Sequence, residues 1–176
     1  MSRLFPLLLL LALPALAAEK QGKTRSSTNG LYAIRLVEEA PGKCRVETLK
    51  DQAVHWSLNQ CLATLDDQLY VSSGGDRFWV IRTLPQIPRR KRGSRKPPHL
   101  AAVVATLYEK DGRVVRQKRL GDFLQSHRLA LVRKLDRHFK WLEGVYDVPG
   151  KGPRLTDQEQ IELEAVGSKT VRLDFK

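Results

Sequence analysis

Cysteines and histidines are scarce in this sequence of 176 residues, which has two of the former and four of the latter. The cysteines, Cys44 and Cys61, are too far apart for a Cys-x-x-Cys redox pair, and a metal site needs more ligands than two distant cysteines. No histidine forms a close pair with another His or a Cys, so we interpret the histidines as core or surface residues. We therefore expect no metal and no other cofactor.

A disulfide is the remaining role for the two cysteines. In an oxidising compartment an even cysteine count indicates a bridge, and two cysteines allow a single pairing. The sequence therefore predicts a structural disulfide between Cys44 and Cys61, which would contribute roughly 3 kcal/mol to stability in the chain-entropy model.

Acidic residues are the other deficit. The chain has 19 Asp and Glu against 31 Lys and Arg, which gives a formal net charge of +12. Such a balance favours contact with acidic surfaces, among them lipid head groups, acidic polysaccharide and nucleic acid. It does not specify a fold.

One long apolar run stands at the start of the chain, and no later segment is long and apolar enough to span a membrane. Arg3 is a short basic region, Leu4 to Leu13 is apolar apart from Pro6, and residues 15–17 offer small side chains where a signal peptidase reads. The run is too short for a spanning helix, which needs about 20 apolar residues. Residues 1–17 are therefore predicted to be a secretory signal peptide.

Export determines which partners we expect. Removal of Arg3 with the signal peptide lowers the formal charge from +12 to +11. The processed protein would be periplasmic or extracellular and would have no transmembrane segment. Because an exported protein rarely meets nucleic acid, the expected partners are an acidic envelope polymer, an anionic membrane surface or another protein.

The processed chain alternates between short apolar and polar runs. After a polar segment over 18–29, which we expect to be flexible, residues 30–176 are predicted to form a single mostly-β domain. Period-two runs separated by turn residues are typical of an antiparallel meander, here sandwich-like or partially propeller-like. The stretch "RFWVIRTL" is apolar on both faces, so it is predicted to be a central strand. A basic loop over 85–98 connects it to the next strand.

Two hairpins are predicted from turn residues. Asp111-Gly112 between two strand-like runs is a strong hairpin signal, and we expect positive φ at both positions. Near the end of the chain, a three-residue loop at Gly167–Lys169 keeps the apolar faces in phase. This register pairs Leu163 with Leu173 and Glu164 with Arg172.

Helical spacing is seen in a single region of the processed chain. Between 121 and 142, apolar residues recur at intervals of three and four, with basic residues on the other faces. This pattern predicts one basic amphipathic helical insertion. The alternative is that "FKWLEGVY" begins a strand. The apolar residues of the stripe are Leu131, Leu135, Phe139 and Leu142, and the basic ones are Arg133, Lys134, Arg137 and Lys140.

The order of these phrases resembles a group of exported bacterial proteins of unknown function whose strand meanders are similar to β-propeller blades. The resemblance rests on "STNGLYAIRL", "GKCRVETL", "LYVSSGGDRFWVI" and "LYEKDGRVVRQKRLGDFL", followed by a Trp before the closing hairpin. It implies no catalytic residue. The basic run and the basic helix depart from it, and the chain is too short for a full propeller of at least four blades. The residues matching the fourth phrase are Tyr108, Asp111, Gly112, Val115, Leu120, Asp122 and Leu124.

The loop "PRRKRGSRKPP" and the predicted helix are the candidate polyanion-binding sites. The loop has no aromatic residue for stacking on bases, which weighs against nucleic acid. Docking to an anionic surface stands beside two alternatives, a solvated loop and a protease-sensitive segment. The candidate residues are Arg89, Arg90, Lys91, Arg92, Arg95, Lys96, Arg133, Lys134, Arg137 and Lys140.

Catalysis has weaker support, and we expect no enzyme activity. Ser73 or Asp76 with His127 could form a small hydrolase site, but the chain lacks a Gly-x-Ser-x-Gly elbow, and a polar turn explains the cluster. Asp66 and Asp67 are interpreted as a turn, because a calcium site needs six or more oxygen ligands. A third hypothesis is a subunit of a larger exported assembly, with the apolar stripe of the helix as its contact.

Overall fold

Three larger antiparallel sheets and one two-stranded sheet make up the computed structural model, which describes residues 19–89, 93, 97–143, 152–167 and 169–176. The predicted signal peptide lies outside these residues. The mainly-β antiparallel meander is confirmed. Within the described ranges no helix has the length and apolar character needed to cross a membrane.

The first sheet has the order β1-β3-β4-β5, and β2 also pairs with β3. Two of its strands, β1 and β2, lie within residues 18–29, the segment that the sequence predicts to be flexible. Their backbone groups pair with β3, which orders this polar stretch without apolar side chains. The strands are β1 (Lys20–Gln21), β2 (Arg25–Ser26), β3 (Tyr32–Ala40), β4 (Lys43–Lys50) and β5 (Ala53–Leu58).

The middle sheet has the order β6-β7-β8-β9, and the third has the order β12-β13-β14. The middle sheet comprises β6 (Gln68–Val71), β7 (Arg77–Ile81), β8 (Val103–Glu109) and β9 (Val114–Arg119). The third comprises β12 (Arg154–Leu155), β13 (Gln160–Ala165) and β14 (Lys169–Asp174). Between them lie α1 (Leu120–Phe123), a 3-10 helix (Ser126–Leu131) and the hairpin of β10 (Arg133–Lys134) and β11 (Phe139–Lys140). A second 3-10 helix, Pro98–Ala101, precedes β8.

Strand β7 is buried on both faces, as the sequence predicts. Phe78 and Val80 face a core shared with the first sheet. Trp79 and Ile81 face a second core, shared with Trp141 and the third sheet. Since successive side chains of a strand point to opposite faces, this one apolar run supplies two cores.

The predicted disulfide is present. Cys44, at the start of β4, is bonded to Cys61, which follows β5, and their Cα atoms are 4.8 Å apart. The bridge ties the segment after the edge strand back to the first sheet.

The predicted β8–β9 hairpin is confirmed, but its turn differs from the expectation. Gly112 has a φ of 85°, whereas Asp111 is not in the left-handed region. The N–H of Glu109 donates to the carbonyl of Arg113, so three residues connect the strands, and such a loop needs one left-handed residue. The two-residue turn with positive φ at both positions is instead Asp51-Gln52, between β4 and β5.

The predicted register of the last hairpin is wrong by two residues. Leu163 pairs with Val171 rather than with Leu173, and Arg172 pairs with Glu162 rather than with Glu164. A slip of two leaves every side chain on the same face, so the apolar pattern cannot distinguish the two registers. In the observed register Ala165 pairs with Lys169, so the three-residue connection begins one position earlier than expected.

The predicted amphipathic helix over 121–142 is also wrong. Helical residues do occur there, but they form the four-residue α1 and a 3-10 helix, and the chain then turns into β10–β11. Phe139 and Trp141 are fully buried while Lys140 between them is not, which is the alternation of a strand. His138 forms an antiparallel bridge with Gln86, and this long-range pairing overrides the local helical spacing.

Glu47 lies buried on the outer face of the first sheet between two arginines. Its carboxylate accepts hydrogen bonds from Arg35 Nε at 2.8 Å and from Arg45 Nε at 2.6 Å. Burial alone would raise the pKa of Glu47, but the hydrogen bonds and charges of Arg45 and Arg35 outweigh it and lower that pKa. The folded state therefore favours the ionised carboxylate more than the unfolded chain does.

Replacing Glu47 with Gln is expected to reduce the free energy of unfolding by about 2 kcal/mol at pH 7, since charge-assisted hydrogen bonds are lost. A lowered pKa contributes stability above the unfolded value, near 4.5, and that contribution is lost as the pH falls through the folded value. Urea unfolding from pH 7 to 3 should thus show the difference shrinking below about 4.5. Glu39→Gln, which removes an exposed partner of Arg45, is the control and should cost under about 0.5 kcal/mol. A Glu47→Gln difference independent of pH would contradict the interpretation.

Candidate anion-binding surface

Backbone hydrogen bonds bring the start of the basic loop against the β10–β11 hairpin. The N–H of Ile87 donates to the carbonyl of Arg137 at 2.9 Å, and the N–H of Phe139 donates to that of Pro85 at 3.2 Å. Gln86 and His138 form an antiparallel bridge between these contacts. Arg89 follows two residues later, so cations more than 40 positions apart in sequence share one region of the molecule.

The described candidate residues lie around this hairpin and form what we call the cationic surface. Arg89, Arg133, Lys134 and Arg137 are exposed, and Lys140 is half-buried. Arg133 pairs with Lys140 and Lys134 with Phe139 across the two short strands. The loop candidates Arg90, Lys91, Arg92, Arg95 and Lys96 lie outside the described residues.

Charge compensation differs between this surface and the outer sheets. In the first sheet Arg35 and Arg45 share Glu47, and in the third sheet Arg154 and Arg172 share Glu162. Around the hairpin, no carboxylate in the described part of the chain forms a salt bridge with Arg89, Arg133 or Lys134. Arg137 does approach Asp136, at 3.9 Å, but both side chains are almost fully exposed and such pairs contribute little. Arg133 and Lys134 thus retain most of their field for an external anion.

A pocket of about 510 Å³ opens beside the hairpin, between the two 3-10 helices. Most of its wall is apolar, while Lys134 supplies a cation and Ser126 a hydroxyl. Lys134 therefore belongs to both the pocket and the cationic surface. The lining residues are Pro97, His99, Ser126, Leu129, Ala130, Val132 and Lys134.

His99 contributes a buried imidazole to this wall. It is 8% exposed, meets the ring of Phe139 edge-on at 5.3 Å, and its Nε2 has no hydrogen-bond partner within the described residues. An unsatisfied buried polar atom costs about 1–3 kcal/mol. Burial, with the nearby charge of Lys134, lowers the pKa of His99. The imidazole is therefore held neutral at neutral pH.

The residues of the hydrolase hypothesis do not come together. The N–H of Ser73 donates to Glu159, just before β13, whereas Arg128, the neighbour of His127, donates to the carbonyl of Gly167, just after it. Strand β13 has six residues and spans about 20 Å. Ser73 and His127 therefore lie near opposite ends of that strand, beyond hydrogen-bond reach.

The Ser-Gly-Gly-Asp cluster instead forms a turn between β6 and β7. Ser72 Oγ donates to Asp76 Oδ1 at 3.0 Å, and Gly75 has a φ of 73°. A Cβ at Gly75 would lie 2.6 Å from the ring of Tyr32, so only glycine fits the packing there. Trp56 Nε1 donates to the carbonyl of Gly75 at 2.7 Å and anchors the turn to the first sheet.

Asp66 and Asp67 also form a turn, as predicted. The N–H of Asp67 donates to the carbonyl of Thr64, and Asp67 Oδ2 accepts from the N–H of Thr64 at 2.9 Å. Burial raises the pKa of Asp67 against these hydrogen bonds and the charge of Arg82. No cluster of three His, Cys, Asp or Glu side chains suited to a metal ion occurs in the part of the chain that the structure describes.

Sequence reasoning identifies the cations but not the pocket. His99 follows two prolines, and no spacing links it to Ser126 or Lys134, because the contact depends on how the 3-10 helices pack. Comparisons of the chain with protein families, curated proteins and solved structures find no match.

Proposed function

We propose that this protein is an exported, non-catalytic binding module of the cell envelope that docks onto an acidic surface through the basic loop and the β10–β11 hairpin. The observation that carries the proposal is the backbone pairing of residues 85–87 with the hairpin. This pairing brings Arg89, at the start of the basic loop, to the same region as the cations of the hairpin, and it is this proximity that supports the proposal.

Electrostatics favours a polyanion over a single small anion for this surface. A basic residue near an anionic membrane contributes about 1 kcal/mol, and several such contributions give a useful affinity. Arg89 and Arg133 are exposed and have no carboxylate partner among the described side chains, so binding does not first require an internal ion pair to break. Such attraction decays within a Debye length of about 8 Å at physiological salt, so docking should be salt-sensitive.

The double substitution Arg133→Ser with Arg137→Ser is expected to weaken binding of the processed protein to vesicles containing phosphatidylglycerol by about thirtyfold at low salt. Each basic side chain removed should weaken binding by about 1 kcal/mol. Sedimentation of the protein with vesicles of graded anionic content measures the partition coefficient. Replacing the six loop cations with Ser in a parallel variant gives the contribution of the loop.

The matched control removes the same charge elsewhere. Lys43 and Lys110 are exposed on the first and middle sheets, so Lys43→Ser with Lys110→Ser should weaken binding far less. Equal weakening by both pairs would assign binding to net charge rather than to this surface. Unchanged binding of the hairpin variant at low salt would refute the role of the hairpin in docking. Binding of the same variants to an acidic envelope polysaccharide distinguishes a polymer partner from a membrane partner.

A further inference from the structure

The pocket beside the hairpin has a composition that discriminates among acidic partners. Leu129, Val132 and Pro97 make its wall mainly apolar, with Lys134 as its cation. A sugar polymer would need many polar partners, and stacked bases would need aromatic faces. An amphiphile with an apolar tail and an anionic head matches an apolar wall beside a cation.

An exposed leucine stands in the sequence between two residues that line this pocket. Leu131 is 55% exposed at the end of the 3-10 helix, directly between the pocket residues Ala130 and Val132. Arg133 follows it closely, and Arg128 lies one helical turn before it. Exposed apolar side chains flanked by cations are typical of segments that lie at a membrane interface.

We propose that the pocket takes the acyl chain of one anionic lipid, with Lys134 at the phosphate of the head group and Leu131 inserted among neighbouring lipids. This inference rests on the proposed docking function and narrows its acidic surface to an anionic membrane. The charge complementarity is local, because Lys134 lines the pocket and Arg133 is exposed beside it without a carboxylate partner among the described residues. The volume of about 510 Å³ lies within the range of small-ligand sites.

The test uses a lipid that dissolves as a monomer. Dihexanoylphosphatidylglycerol should bind the processed protein and shift the NMR signals of His99 and Val132, whereas inorganic phosphate should bind at least tenfold more weakly. Ala130→Trp fills the pocket from an exposed position and should lower affinity for the soluble lipid at least tenfold. Ser126→Trp, also exposed, is a second variant for the case in which the first does not fold.

A separate pair of matched variants tests the insertion of Leu131 into the membrane. Leu131→Ser should weaken vesicle binding severalfold, while Val114→Ser, at a residue 48% exposed on β9, should leave it unchanged. Equal binding of phosphate and soluble lipid, or wild-type lipid affinity in a folded pocket-filling variant, would overturn the acyl site. If the hairpin charge variant still weakens vesicle binding in that case, the docking proposal stands. If neither the hairpin charge variant nor the pocket-filling variant changes vesicle binding, the docking proposal fails as well.

Discussion

Replacing Trp79 with Ala is expected to reduce the free energy of unfolding by about 4 kcal/mol. Trp79 is fully buried in β7 and faces the core shared with the third sheet. Its Nε1 donates to the carbonyl of Asp174 in β14 at 2.9 Å, so the side chain also joins two sheets by a hydrogen bond. The substitution leaves a large cavity and an unsatisfied acceptor, and each of these lowers the free energy of unfolding.

Urea unfolding followed by far-UV circular dichroism measures this loss, with the m-value checking that the transition stays two-state. Trp56→Ala is the matched control. Trp56 is half-buried and also donates through Nε1, to the carbonyl of Gly75, but it sits near the edge of the other core. We expect Trp56→Ala to reduce the free energy of unfolding by about half as much as Trp79→Ala does. A Trp79→Ala loss no larger than that of Trp56→Ala would contradict the central position assigned to β7.

Removing the disulfide is expected to reduce the free energy of unfolding by about 3 kcal/mol. Cys44 and Cys61 are 17 positions apart, and the bridge restricts the unfolded chain between them. The double variant Cys44→Ser with Cys61→Ser should therefore lose this amount and become insensitive to reducing agents. Both cysteines belong to the first sheet and its following loop, so anionic-vesicle binding should be unchanged at temperatures where the variant is folded.

Unfolding in urea with and without dithiothreitol provides the measurement. The reduced wild-type protein should match the double variant, and the oxidised protein should be more stable than both. A thiol titration that finds two free cysteines in the protein purified after export, or a wild-type protein unaffected by reductant, would refute the prediction.

Local patterning explains why much of the fold follows from the sequence. Strand β7 is apolar at every position from Phe78 to Ile81, and only a strand covered on both faces uses such a run. Gly112 marks a hairpin because its φ excludes most other residues. Cys44 and Cys61 had one possible pairing. Each of these inferences depends on neighbouring residues or on a single arrangement, so no knowledge of long-range packing was needed.

Tertiary structure decided the rest. Leu131, Leu135 and Phe139 have helical spacing, yet the edge of residues 85–87 offered backbone partners that turned Phe139 into a strand. The final hairpin has two registers that place the same side chains on each face, so the apolar pattern could not tell which one forms.

By itself, the sequence determined an antiparallel, strongly basic chain with a central apolar strand and one disulfide, because these properties reside in local periodicity and composition. The pairing of Ile87 with Arg137, and the pocket that Lys134 shares with His99, were decided only by the tertiary structure. Both are contacts between segments 35 or more positions apart, and such contacts depend on sheet-edge pairing and core packing rather than on any short-range pattern.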